Sequence, residues 1–256
     1  MKVTFMGTGT SVGVPSIGCQ CPVCRSHDPL NRRTRTSALL AVEEHRVLID
    51  ASIDLRQQAL REEMDVLHAV LVTHAHADHV FGLDDVRMFN FRQQAPMPIY
   101  ASAATLADIR RTFWYVFEAT LAASSRPQLA LKEVNGPFEV AGLRVLPFEV
   151  IHGAMPILGY RIGRFAYITD ASALPEATFP LLARLDVLVI NALRHKPHPT
   201  HFTLTGALDT IARIAPRRAY LTHISHDFDH AALSRELPEG VQPAHDGLTI
   251  EVDHET

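Results

Sequence analysis

The run Leu71-Val72-Thr73-His74-Ala75-His76-Ala77-Asp78-His79 is an apolar strand that ends in a polar knot. Ala69 to Thr73 has the continuous apolar character of a buried strand, and strand-end loops are where rigid scaffolds present ligands. His74 and His76, two apart, point the same way while the chain stays extended. Asp78 and His79 then arrive on the turn that follows. One short loop thus offers two adjacent cations imidazole for affinity and carboxylate as a harder ligand. The plain alternative is a polar surface loop with incidental histidines. Four metal-type residues in six positions, directly after a buried strand, argue against it.

Other strand ends repeat the pattern. Phe148-Glu149-Val150-Ile151 closes on His152 before a glycine, Phe165-Ala166-Tyr167-Ile168-Thr169 closes on Asp170, and Ala219-Tyr220-Leu221-Thr222 closes on His223. Each alone reads more simply as a satisfied polar group or, for Asp170, as a cap of the turn before Pro175. Together with the first cluster they make seven ligands, enough for two cations sharing one carboxylate and one water.

The rest of the chain frames this site. With 256 residues, 47% hydrophobic and 20% charged, it fits an ordinary globular protein, and no linker or repeat divides it. One domain spanning 1–256 is expected. A net charge of -4 argues against a non-specific nucleic-acid binder. No apolar run approaches the roughly 18 residues of a membrane span, and the N-terminus lacks a secretory pattern, so the cytoplasm is the expected location. Strand-like runs alternate with helical stretches, which suggests two sheets covered by helices. Helices are expected at 55–63, 105–117, 175–184, 204–214 and 229–236, and hairpins at 37–49 and 138–151. The segment Ser11 to Arg35, dense in Gly, Pro, Cys and Arg, reads as a long ordered loop. Within it Cys19, Cys21 and Cys24 supply three thiolates, one short of a tetrahedral zinc site, and His226 is the favoured fourth ligand because it is otherwise unexplained.

The series His74-x-His76-x-Asp78-His79, His152, Asp170, His223 resembles the metallo-β-lactamase superfamily, in its order and over most of the chain. The resemblance implies a four-layer αβ/βα sandwich with a dimetal site at the edge between the sheets. It implies that His74, His76 and His152 hold one cation, that Asp78, His79 and His223 hold the other, and that Asp170 bridges them. Asp50 would orient a ligand. Gly7-Thr8-Gly9, the cysteine loop, Thr222-His223-Ile224-Ser225-His226 and Asp246-Gly247 resemble the branch that includes phosphoribosyl cyclic phosphodiesterase. That likeness implies two zinc or manganese ions, one structural zinc, and a leaving-group histidine at His201; from the residues alone, His195, His198 and His201 are equal candidates. Asn191 stands where many relatives carry aspartate. A homodimer is a further expectation of the resemblance.

The chemistry so implied is hydrolysis of a small phosphodiester. Two cations activate a shared water and polarise the phosphoryl oxygens. Protonated His201 donates to the leaving oxygen, and Asp78 orients the nucleophile. Arg32, Arg33, Arg35 and Arg194 are candidate anion contacts, against the plainer reading of a solvated basic face. The rivals are an RNA-processing nuclease, a thioester or lactam hydrolase, and a non-catalytic cofactor-biosynthesis protein on the same fold.

Overall fold

The computed structural model describes residues 1–118 and 125–253. Its strands are β1 (Lys2–Gly7), β2 (Ser37–Val42), β3 (His45–Ile49), β4 (Ala69–Leu71), β5 (Met97–Ala101), β6 (Leu129–Glu133), β7 (Phe138–Val140), β8 (Leu143–His152), β9 (Met155–Ile162), β10 (Phe165–Tyr167), β11 (Val187–Asn191), β12 (Arg218–Thr222), β13 (Val241–Pro243) and β14 (Thr249–Glu251). Its α-helices are α1 (Pro22–Arg25), α2 (Leu55–Arg61), α3 (Ala77–Val80), α4 (Arg87–Gln93), α5 (Ala103–Thr112), α6 (Trp114–Phe117), α7 (Leu204–Ile214) and α8 (His230–Glu236). One mixed sheet runs β14-β1-β2-β3-β4-β5-β6 and the other β13-β12-β11-β10-β9-β8-β7.

Why the central strands are apolar on both faces follows from the layering. Along β2 and β3, Ala38, Leu40, Val47 and Ile49 point into the core between the sheets, while Leu39 and Leu48 point out to a second core with Leu55, Phe89 and Ile109 of α2, α4 and α5. Along β11, Val187 and Val189 face inward, and Leu188 and Ile190 face Leu204, Ala207 and Ile211 of α7. A period of two with both sets apolar is the signature of a sheet covered on both sides. Four layers result, as an αβ/βα sandwich.

α7 shows the local logic. Thr203 caps it, accepting from the Gly206 N–H at 3.1 Å, and Leu204, Ala207, Ile211 and Ile214 form one buried face. Elsewhere the elements depart from the sequence reading. The helix expected at 175–184 is a 3₁₀ segment, Glu176–Leu182, because Pro180 inside it removes an α-helical donor. The helix expected at 105–117 is two, α5 and α6, parted at Phe113. Strands β6 and β13 and helix α4 were not anticipated; short elements carry too little periodicity.

The parallel pairs β3–β4 and β10–β11–β12 bring their C-terminal ends to one rim. Strand ends of that kind are where open α/β sheets bind ligands. At this rim the loop after β4 packs against the end of β3 through Gly82, where an added Cβ would lie 2.1 Å from the Ser52 carbonyl oxygen. Only glycine allows that approach.

Candidate metal centre

All seven residues singled out in the sequence meet at this rim. His74, His76 and His152 form one group whose ligand atoms lie within 4.8 Å of one another, and Asp78, His79, Asp170 and His223 form another. Asp170 joins the two: its Oδ1 is 3.2 Å from His79 Nε2 and 3.4 Å from His223 Nδ1, and its Oδ2 is 4.0 Å from His74 Nε2. His201 Nε2 also reaches Asp170 Oδ2, at 3.0 Å. His152, Asp170 and His201 are themselves close enough to share an ion. Asp170 therefore caps no turn; it is the hub. Asp78 and His79 sit on the one-turn helix α3 rather than on a simple turn.

Hydrogen bonds settle which nitrogen each histidine offers. The Thr73 hydroxyl donates to Asp50 Oδ2 at 2.9 Å, so its oxygen accepts from His74 Nδ1 at 3.0 Å. His79 Nδ1 donates to Asp50 Oδ2 at 2.7 Å, and His152 Nδ1 donates to the Thr200 carbonyl at 2.8 Å. All three then turn Nε2 toward the centre, the arrangement by which outer partners orient metal ligands. Asp50, buried just after β3, accepts from both the Thr73 hydroxyl and His79 Nδ1, and so fixes how His74 and His79 face.

Electrostatics point the same way. His79 Nε2 lies within 3.3 Å of Asp78 Oδ2 and 3.2 Å of Asp170 Oδ1, yet neither it nor His223 Nδ1 has a hydrogen bond although both are buried. Buried polar atoms left unpaired are costly, and a cation that takes their lone pairs removes the cost. Burial alone lowers the pKa of His79, but Asp170, Asp50 and Asp78 outweigh it and hold the imidazole well above its ordinary range. Burial lowers His223 to about 4 and depresses His74 far below the usual value, so both are neutral and available as ligands. Three carboxylates around neutral imidazoles suit divalent cations of the Zn²⁺ or Mn²⁺ kind.

The backbone is strained to achieve this. Asp50, Asp170 and His223 have φ of 61°, 55° and 54°, a region that non-glycine residues avoid at a cost of about 1–3 kcal/mol each. Such strain persists only where surroundings over-determine it.

The cysteines form a second cluster. Cys19, Cys21, Cys24 and His226 bring their ligand atoms within 4.8 Å of one another. His226 Nδ1 is 3.3 Å from both Cys19 Sγ and Cys21 Sγ. The Cys24 N–H and His226 lower the Cys21 thiol to about 6, while burial pushes Cys24 up to about 11. Cys₃His is the donor set of closed structural zinc sites. A thiolate and an imidazole in one such cluster fit that ion.

The four candidate arginines all have partners within the protein. Arg33 is buried, donating to Thr8 Oγ1 at 2.7 Å, to the Ala244 carbonyl at 2.6 Å and to His230 Nδ1 at 3.1 Å. Arg35 pairs with Asp54 at 3.1 Å, Arg32 holds the Ser26 carbonyl, and Arg194 holds carbonyls of its own loop. Each bonds locally, which accounts for the charge run without substrate. His195 lies apart from the centre, 3.6 Å from Glu236. His198 instead contacts His201, Nδ1 to Nδ1 at 3.1 Å. Sequence reasoning missed Thr73 and Thr200; a hydroxyl or carbonyl beside a ligand leaves no pattern of its own.

A profile of the β-lactamase superfamily domain matches residues 45–224, a span holding Asp50 and all seven ligands of the centre. The chain belongs to the β-lactamase superfamily. Within it, a solved diphosphatase of the PhnP family is 42% identical, with a TM-score of 0.93 over 99% of this chain and 98% of that one. Zn²⁺-bound PqqB from Methylobacterium extorquens is 25% identical, with a TM-score of 0.81 over 98% and 100% of the two chains. A protein named octanoyltransferase from Porphyromonas gingivalis is 42% identical over 99% of this chain but only 52% of its own length. The superfamily chain described here thus spans about half of that relative. The cysteine loop lies outside the span matched by the profile. No helix among the described residues is long and apolar enough to cross a membrane.

Proposed function

We propose that the chain is a dimetal-dependent hydrolase of a small phosphodiester, with cyclic ribosyl phosphates and nucleotides the first substrates to try. One observation carries the reading: His201 Nε2 lies 3.0 Å from Asp170 Oδ2, the carboxylate shared by both ligand groups, on a side chain 12% exposed. A leaving-group acid belongs at that position, beside the reacting phosphorus and open to solvent for reprotonation.

His74, His76 and His152 would hold one cation and Asp78, His79 and His223 the other, with Asp170 between them. Divalent cations bound there supply Lewis acidity toward phosphoryl oxygens and lower the pKa of water. The protein's own groups do the rest. His201 turns Nε2 toward the site because Thr200 Oγ1, 2.9 Å away, and His198 engage its Nδ1. Its proton goes to the departing alkoxide. Asp78, still 11% exposed, aligns the nucleophile from the opposite set. Asp50 and Thr200 keep the imidazoles from turning.

A second reading has its own support. The PhnP-family relative at 42% identity is a diphosphatase, and phosphoanhydride cleavage asks the same of these residues. The relative named octanoyltransferase bears on this less, since half its length has no counterpart here. The deciding assay compares a nucleoside 2′,3′-cyclic phosphate, a diester whose leaving group is an alkoxide, with a nucleoside diphosphate in Mn²⁺ or Zn²⁺, for the wild type and for His201→Ala. Metal-dependent diester turnover that falls by roughly 100 to 10,000-fold in His201→Ala is expected. Turnover of the diphosphate alone favours the second reading, and no metal-dependent turnover of either overturns both.

A further inference from the structure

The carboxylate at the hub needs its backbone held, and the residue that holds it is neither a ligand nor a hydrogen-bond partner of one. Asn191 closes β11, fully buried. Its Oδ1 accepts from the Ala171 N–H at 2.7 Å and its Nδ2 donates to the Ala171 carbonyl at 3.0 Å. One side-chain amide thus pairs both polar groups of a single residue, as a neighbouring strand would. Ala171 follows Asp170, which lies beyond the end of β10 with a φ of 55°. The Phe202 N–H reaches the same carbonyl at 2.6 Å. The chain on the far side of the strained residue is therefore clamped.

We infer that Asn191 is the positioning residue of the dimetal centre: by gripping Ala171 it keeps Asp170 in the left-handed conformation that aims its two oxygens at both ligand groups. Oδ1 turns toward His79 and His223 and Oδ2 toward His74, so a small rotation about the backbone takes the carboxylate out of reach of one group. A side chain at position 191 grips Ala171 in this way only if it accepts from the N–H and also donates to the carbonyl; an amide does both, and an apolar side chain of the same shape does neither. The asparagine that stood out in the sequence is thus a working part.

The inference rests on the dimetal reading of the site, and the test separates the two. The purified chain, loaded with Mn²⁺, is examined by electron paramagnetic resonance and by metal analysis for the wild type, Asn191→Leu and Asn191→Ser. The wild type is expected to show the spectrum of an exchange-coupled Mn²⁺ pair. Asn191→Leu, which keeps the volume and loses both hydrogen bonds to Ala171, should lose the coupled spectrum, keep an isolated Mn²⁺ signal and bind the pair about 10 to 100-fold more weakly, the range for partners beyond the ligands themselves. Asn191→Ser, uncharged and with one hydroxyl, should weaken it less. Zinc at the cysteine cluster stays unchanged in both. A role confined to packing lowers the melting temperature and leaves the coupled spectrum intact; that result, in Asn191→Leu or in Asn191→Ser if the first does not fold, overturns the inference. A wild type that never forms a coupled pair overturns the dimetal reading beneath it.

Discussion

The cysteine cluster takes three of its four ligands from the six residues between Cys19 and Cys24, whereas the seven-residue centre draws on four separate strand ends between His74 and His223. The first is nearly local: α1 places Cys21 at its cap and Cys24 in its turn, and a single distant residue, His226, completes the set. The second is made only when two sheets pack, and two of its backbones, at Asp170 and His223, are strained, as is that of Asp50 behind it. A local site can form with its loop; a strand-end site exists only in the finished fold. The loop from Thr222 onward serves both, giving His223 to one and His226 to the other.

The largest effect expected from this contrast is at Asp170. Asp170→Ala removes the carboxylate common to both ligand groups, so turnover should fall to background and both active-site cations should be lost while one zinc per chain remains. Metal analysis by mass spectrometry reads both numbers, and joint loss of all three ions would merge the sites that the structure keeps apart. Next is Asp50→Asn, which keeps the shape but loses the charge that fixes His79 and Thr73. About 10 to 100-fold weaker metal binding at the centre is expected, by competition against a chelator, with the cysteine cluster unaffected.

Cys24→Ser strikes the other region. It should remove the single zinc and lower the melting temperature by several degrees, an order suited to a loss of about 1–2 kcal/mol, yet leave kcat within a few-fold at low temperature. A fall in kcat as deep as that of His201→Ala would make the cysteine cluster part of the catalytic apparatus.

The smallest effect is in acid. His230 lies where Arg33 ties the cysteine loop down, and its Nδ1 accepts from the guanidinium. Burial first, then Arg33 and His245, lowers its pKa to about 4, against the opposing pull of Asp28 and Asp229. The unfolded value is about 6.5. A histidine depressed in the fold takes up its proton more readily when unfolded, so its contribution is complete above about pH 6.5 and is lost progressively as pH falls toward 4. Urea unfolding at pH 7 and pH 5 should show a smaller loss for His230→Gln than for the wild type; equal losses would remove His230 from the account.

The sequence was most informative where chemistry is dense. His74 to His79, the histidine or aspartate closing each of three apolar runs, and the spacing of Cys19, Cys21 and Cys24 were enough to place ten residues in two clusters, because ligand types are rare and strand ends are legible from apolar runs. It was least informative where the side chain is common and its role is set by orientation. Arg33 reads as a candidate clamp and is a buried tie. Pro175 to Arg184 reads as a helix and is a 3₁₀ segment. His195, His198 and His201 are equivalent in the chain, and only the packing of the loop after β11 turns His201 toward Asp170.

What the chain determines by itself is therefore the inventory of donors and their attachment to strand ends: residue type and local periodicity are one-dimensional properties. What the tertiary structure alone decided is which nitrogen His74, His79 and His152 turn to the centre, which carboxylate is shared, and that the side chain at position 191 pairs with the backbone beside that carboxylate. Those depend on hydrogen bonds between residues far apart in sequence, such as His152 with Thr200 and Asp50 with His79, and on backbone strain that no local signal records.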